Sequence, residues 1–266
     1  MFTSRSSRSM PFNILKLLGF TFVLTVMGKV HVCAQQKSVH VNSGNTRDQA
    51  ALRVHACLDF KLSGTGKGEA WHNAEWNTLT LLDSGEVDYA SEFKILYSTT
   101  GIYLLFRGQD TKITTKDYAD NESIFKGDVF EAFFHPNPGL PEYFEYEVNQ
   151  MDKQLILMIG KVDGKGYSWI PWHNNPNSST GIKKMVNVEG GRQQPGSSIT
   201  SWSAEVFFPY VALGLLPNVP PSSGTTWNAN FCRLDYDSGN MIKWSWSPTI
   251  ETSFHELEKF RIIMFE

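Results

Sequence analysis

Glu131 lies in the run FKGDVFEAFFHP, residues 125–136, where it is flanked on one face of an extended chain by Val129 and Phe133. Asp128, Phe130, Ala132 and Phe134 share the other face, so neither side is the polar half of an amphipathic strand. Burying a carboxylate without a partner is costly, so Glu131 calls for a hydrogen-bond partner, water or a ligand. A second run, EYFEYEVNQ at 142–150, carries Tyr143, Glu145, Glu147 and Asn149 on one face and Phe144, Tyr146 and Val148 on the other. If the two strands pair, Glu131 comes near Glu145 or Glu147. Two acids across a cleft are the equipment of a glycosidase, as general acid and base or as acid and nucleophile. They equally suit a polar sheet face that accepts sugar hydroxyls or coordinates calcium through oxygen. Spacing alone identifies no catalytic pair.

Aromatic residues make up 13% of the chain and include eight Trp. Trp202, Trp227, Phe231 and Trp244 sit in strand-like runs and are expected in the core. Phe125, Trp169, Trp172 and Phe254 have loop-like surroundings. There a ring face can stack on sugar C–H groups while neighbouring acids and amides fix the hydroxyls, or a ring can simply anchor its loop. The sequence holds no HExxH, CxxC, GxSxG or P-loop motif. His72, His135, His173 and His255 are scattered and read as loop residues rather than a metal triad. The segment DYADNE offers Asp117, Asp120 and Glu122 as oxygen ligands, although its spacing is not that of an EF-hand.

Short strands separated by turn signals must position these groups. SEFKILYST and TGIYLLFRGQD suggest a hairpin around Gly101, and HPNPGLP joins the two acid-bearing runs. QLILMIGKV, GIKKMVNVEG, SWSAEVFFPY, TWNANFCRLDY and KFRIIMFE continue the pattern. DGKGYSWIPWHNNPNSSTG and GGRQQPGSS read as loops, and helical signal is confined to turns at AEWNTLTLLD and PYVALGLL. The expected fold class is all-β, an antiparallel β-sandwich.

Residues 1–34 have the form of a secretory signal peptide: Arg5, Arg8 and Lys16, then the apolar stretch LLGFTFVLTVMG, then Val32 and Ala34 before a cleavage site at Gln35. The stretch is too short to span a membrane, and Val32 departs from the small residue a lipoprotein signal carries before its cysteine. Removing the leader leaves 20 basic against 27 acidic residues, a net charge near −7 that argues against a nucleic-acid or anionic-membrane partner. Residues 35–51 read as a flexible tether and 52–266 as one domain without a membrane span. Cys57 and Cys232 remain, either as a disulfide or as two separate buried thiols.

Taken in order, EAWHNAEWNTL, FKILYSTTGIYLLFRGQD, IFKGDVFEAFFHP, YFEYEVNQ, SWSAEVFFPYVAL, GTTWNANFCRLD, WSWSP and FHELEKFRIIMF make residues 55–266 resemble carbohydrate-binding module family 9 and its DOMON-like relatives. Trp202, Glu205 and Pro209 supply a late W-x-x-E-x-x-x-P. The resemblance implies an immunoglobulin-like β-sandwich from secreted polysaccharide-degrading systems, often joined to a glycoside hydrolase partner and in some members holding structural calcium. It also implies a site in which two tryptophans sandwich a terminal sugar. Those places fall on Phe125 and Phe254, and the family's acid falls on Glu131. The family's arginine and asparagine on the facing strand are replaced by Glu145 and Glu147. A secreted carbohydrate-binding protein is the function implied. The alternatives are a glycoside hydrolase using Glu131 with Glu145 or Glu147, and a haem-binding DOMON-like domain using Met151 or Met158, which otherwise fill core gaps.

Overall fold

A computed structural model describes residues 50–82, 87, 89–161, 167–171, 181–247, 249 and 253–266. Residues 1–49, which take in the expected leader at 1–34 and most of the expected tether, lie outside the described residues, as do Trp172, His173 and the side chain of Trp169.

Among the described residues fourteen strands form two layers. The first runs β9 (Tyr167–Pro171), β8 (Gln154–Lys161), β7 (Tyr143–Asn149), β6 (Val129–His135) and β12 (Thr226–Asp235). Beyond β12 lie β14 (Arg261–Phe265) along one half of the strand and β13 (Ile242–Ser245) along the other, with β3 (Thr80–Leu81) on β13. The second layer runs β10 (Lys183–Glu189), β11 (Ser201–Pro209), β5 (Gly101–Gln109) and β4 (Ser91–Tyr97), with β2 (Asn77–Thr78) on β4. β1 (Leu52–Ala56) links the layers: Leu52–Val54 pair with β14, and His55 and Ala56 pair with β4. Both of these pairings are parallel, so the sandwich is mixed where an antiparallel one was expected.

Three further expectations change. β9 forms inside the segment read as loop, because YSWIP supplies an extended run that pairs antiparallel with β8. AEWNTLTLLD holds the two short pairings β2 and β3, and the helical turn lies just upstream as a 3-10 turn at Glu69–Asn73. Cys57 and Cys232 are free thiols in separate apolar clusters, not a disulfide. The turn expected at PYVALGLL is present at Tyr210–Leu213.

The main core fills the space between the layers. Phe106 of β5 stacks on Phe130 of β6 with centroids 4.8 Å apart, and Trp202, Trp227, Phe231 and Trp244 are all buried there. Met151 and Met158 pack against the same core. Each layer is also covered on its outside. Trp71, Tyr103 and Leu105 form a cluster on the second sheet, and Phe133, Leu155, Leu157, Phe254 and Phe260 form one on the first. Every residue of β6 and β7 is therefore buried, which is why neither strand shows a polar half in its sequence.

Candidate functional site

β6 and β7 pair in a register that sets Glu131 directly opposite Glu147 and Phe133 opposite Glu145. Side chains opposed across a strand pair stand about 5 Å apart at Cβ, so the expected approach of Glu131 to the β7 acids is met. All three carboxyls face outward from the first sheet, beneath the cluster that contains Phe254, and are 2–4% exposed. Like charges facing each other across a strand pair repel, and the protonation behaviour follows. Burial, reinforced by the Glu145 charge, holds Glu131 well above the ordinary carboxyl range. Burial also pushes Glu145 up to about 7 against a hydrogen bond from Glu147. Glu147 is raised by burial and then by both neighbours, with the Phe125 backbone N–H as a partial offset.

Part of the acceptor capacity of this group is not spent on the protein. Glu145 Oε2 and Glu147 Oε2 are buried with no hydrogen-bond donor. The nearest basic group is His255, whose Nδ1 lies 4.0 Å from Glu145 Oε2 and 2.7 Å from the Tyr143 hydroxyl. Burial lowers the His255 pKa, so the ring is neutral near pH 7 and supplies no counter-charge.

The ring positions divide. Phe125 sits in the 3-10 turn Ile124–Lys126 just before β6, is 38% exposed, and accepts the Tyr236 hydroxyl on its carbonyl at 2.8 Å. Phe254 was expected to offer an open stacking face. It is instead 6% exposed, edge-on to Phe133 at 6.4 Å, because the segment carrying it folds back onto the apolar strip beside the acids. The face is therefore closed in this structure. Two surface hollows, of about 470 Å³ beside Phe60, Ile182, Met185 and Phe207 and about 360 Å³ beside Arg53, His55 and Arg261, are not lined by any of the three glutamates.

A second acidic group escaped sequence reasoning. Asp110, Asp128, Asp235 and Asp237 follow or precede strands β5, β6 and β12, and each offers a carboxylate oxygen within 4.8 Å of the others. Arg233, fully buried, donates from Nη2 to Asp110 at 3.1 Å and Asp235 at 2.7 Å, and from Nη1 to Ser91 and the Gln109 carbonyl. Its guanidinium passes over Trp244 and Tyr89 at 5.2 Å. Gly108 leaves room for it, since a Cβ there would stand 2.6 Å from Arg233 Nη1. Backbone N–H groups of Lys112, Thr114, Tyr236 and Asp237, hydroxyls of Thr111, Thr114 and Tyr89, and the Gln150 amide complete the donors. Burial pushes Asp110 up to about 7 despite Arg233, and Asp128 up to about 8. Asp237 is pushed up by burial too, but the Thr114 and Thr111 hydroxyls hold it below its usual value. Asp117, Asp120 and Glu122, the calcium ligands expected from the sequence, are not gathered in this way. Asp120 accepts the Gln154 N–H and Glu122 the Ala119 N–H, each bracing its own turn.

Two packed β-layers, with an acid-bearing outer face bordered by aromatic side chains, place the chain among β-sandwich modules. Residues 70–265 match the model of carbohydrate-binding family 9, and the chain belongs to that family. No curated protein matches it in sequence. Among solved structures it resembles a candidate carbohydrate-binding protein of Bacteroides uniformis at 19% identity and a TM-score of 0.64, over 81% of this chain and 99% of that one. It also resembles a carbohydrate-binding module family 9 domain of Caldicellulosiruptor kristjanssonii solved with glucose, at 14% identity and a TM-score of 0.54, over 80% and 95% of the two chains. A cellotriose complex of a family 9 module from the same organism gives 14% and 0.53, over 80% and 93%.

Proposed function

We propose that the protein binds carbohydrate on the outer face of β6 and β7, with Glu131, Glu145 and Glu147 accepting sugar donors and Phe125 and Phe254 supplying ring faces. The observation that carries this reading is the pair of buried, unpartnered carboxyl oxygens on Glu145 and Glu147 beside the partly exposed Phe125 ring. An acceptor-rich, ring-edged face suits a ligand that presents many hydroxyl donors and an apolar C–H surface. Membership in carbohydrate-binding family 9 supports it, as do similar folds solved with glucose and cellotriose. Because Phe254 and His255 cover the acids, a sugar reaches them by displacing that segment. The leader-like residues 1–34 and the tether at 35–51 support a secreted protein of a polysaccharide-degrading system, working beside a glycoside hydrolase. On a glycan array the wild type is expected to give saturable binding to at least one sugar class. Phe125→Ala and Glu131→Gln are each expected to weaken it by about tenfold, as the loss of a ring face or of a buried hydrogen-bond partner implies. Equal binding by all three proteins would refute the site.

A structural calcium ion, implied by the family resemblance, fits the aspartate group. When ionised, four carboxylates against one guanidinium carry excess negative charge in a buried place, and the groups offered to an ion are hard oxygens. The Gln150 amide lies 3.0 and 3.2 Å from Asp128 and Asp110, and its Oε1 has no partner. Asp110, Asp128, Asp235 and Asp237 would hold the ion, which would tie the ends of β5, β6 and β12 together by charge neutralisation. Calcium in excess of EDTA is expected to raise the melting temperature by several degrees, as ligand-linked stabilisation of about 3 kcal/mol would do. An Asp128→Asn, Asp235→Asn double variant should lose the response. A wild-type melt that ignores calcium would exclude the ion.

A further inference from the structure

We propose that the acid face selects sugars bearing a free amine, glucosamine-type units, over neutral and acidic sugars; the proposal rests on the sugar-binding reading above. The two acidic groups of this chain differ in how their charge is met. In the aspartate group every carboxylate oxygen already receives a protein donor, and Arg233 lies within it. In the glutamate group two oxygens receive none, and among the described residues no arginine or lysine makes an ion pair with Glu131, Glu145 or Glu147. Lys243 lies on the same side of the sheet, two strands away opposite Leu234, and has contacts of its own. His255, the nearest base, is held neutral by burial and engaged with Tyr143.

The chemistry missing from the face is therefore a positive charge together with several N–H donors. A primary ammonium brings both, one charge and three donors, in a group small enough to sit between opposed carboxylates. A hydroxyl in the same place brings a single donor and no charge. An acidic sugar brings a further carboxylate to a place where burial and mutual repulsion already hold protons on the acids. Charge-assisted hydrogen bonds in a buried setting are about twice as strong as neutral ones, so the amine is expected to set the preference.

Isothermal titration of the protein with three β-1,4-linked tetramers differing only at C2 tests this. The tetramers carry a hydroxyl, a free amine or an acetylated amine. The free-amine tetramer is expected to bind about tenfold more tightly than the hydroxyl one, a difference of about 1.4 kcal/mol, and acetylation should remove the advantage. Glu147→Gln is expected to bring the amine-to-hydroxyl ratio near one. Because it changes the net charge by at most a single unit, this collapse separates local recognition from attraction of a polycation to an acidic protein. Glu145→Gln serves the same purpose if the first variant fails to fold. Equal or tighter binding of the hydroxyl tetramer by wild type, or an amine advantage that survives both variants, would overturn amine selection while leaving sugar binding intact. Failure of all three tetramers to bind would bring down the sugar-binding reading and this proposal with it.

Discussion

Replacing Arg233 by Met is expected to cost about 3–5 kcal/mol of stability, the range for removing one partner from a fully buried ion pair. Arg233 and both of its carboxylate partners are fully buried, at 3.1 and 2.7 Å. Two further aspartates stand within 4.8 Å, so the variant leaves four carboxyls with no protein counter-charge. These carboxyls can respond only by taking up protons, and the Tyr89, Phe130 and Trp244 rings near the guanidinium lose their cation. Arg233→Lys should recover only part of the loss, since an ammonium cannot reproduce the fork that reaches Ser91, the Gln109 carbonyl and both aspartates at once. Urea denaturation at pH 7 in EDTA reads the difference through the midpoint. A loss below about 1 kcal/mol for the Met variant would mean that the guanidinium is not what neutralises this group.

The second large effect is a stability that falls as the solution becomes more basic. Glu131 and Glu147 are held well above the usual carboxyl range and Glu145 at about 7, with burial the first cause in each case. Between pH 4 and 7 the folded chain thus keeps protons that the unfolded chain has released. Unfolding then lowers the number of bound protons, and stability declines with rising pH. The contribution is complete below about pH 4, where unfolded carboxyls are protonated too, and is lost as pH climbs through the folded values. In calorimetry with EDTA the melting temperature is expected to be higher at pH 5 than at pH 8 by about 5 °C or more. A Glu131→Gln, Glu147→Gln double variant should reduce that slope, leaving the part carried by Glu145, Asp110 and Asp128, and melt above wild type at pH 8, because neutral amides remove the repulsion without changing shape. A wild-type melting temperature that rises from pH 5 to pH 8 would contradict the protonated state assigned to these acids.

Much of the frame was legible because β-strands announce themselves locally. Period-two faces in 129–135 and 143–149 placed the acids and their pairing, and the core positions of Trp202, Trp227 and Trp244 followed from their strand contexts. β9 was hidden because its five residues lie amid Gly, Asn and Pro. The parallel pairing of β1 depends on where β4 and β14 arrive, which no local pattern encodes. The aspartate group shows why density of acids misleads. Asp117, Asp120 and Glu122 are close in sequence and stay apart in space, whereas Asp110, Asp128 and Asp235 are far apart and meet because each sits at the edge of a strand. The one available signal was their shared position beside strand ends, in GQD, GDV and RLD. Whether the Phe254 ring lies open or anchors its loop was not legible, because its loop composition says nothing of Phe133, the surface it covers.

An amide-resolved NMR titration of the 15N-labelled chain with glucosamine and cello-oligosaccharides tests the binding face most directly. Saturable shifts are expected at Phe125, Glu131, Glu145, Glu147 and the Phe254–His255 pair, with the last two moving most as the sugar displaces them from the acids. Shifts confined to the hollow beside Phe60, Ile182, Met185 and Phe207, or no shift with either sugar, would contradict carbohydrate binding at this face.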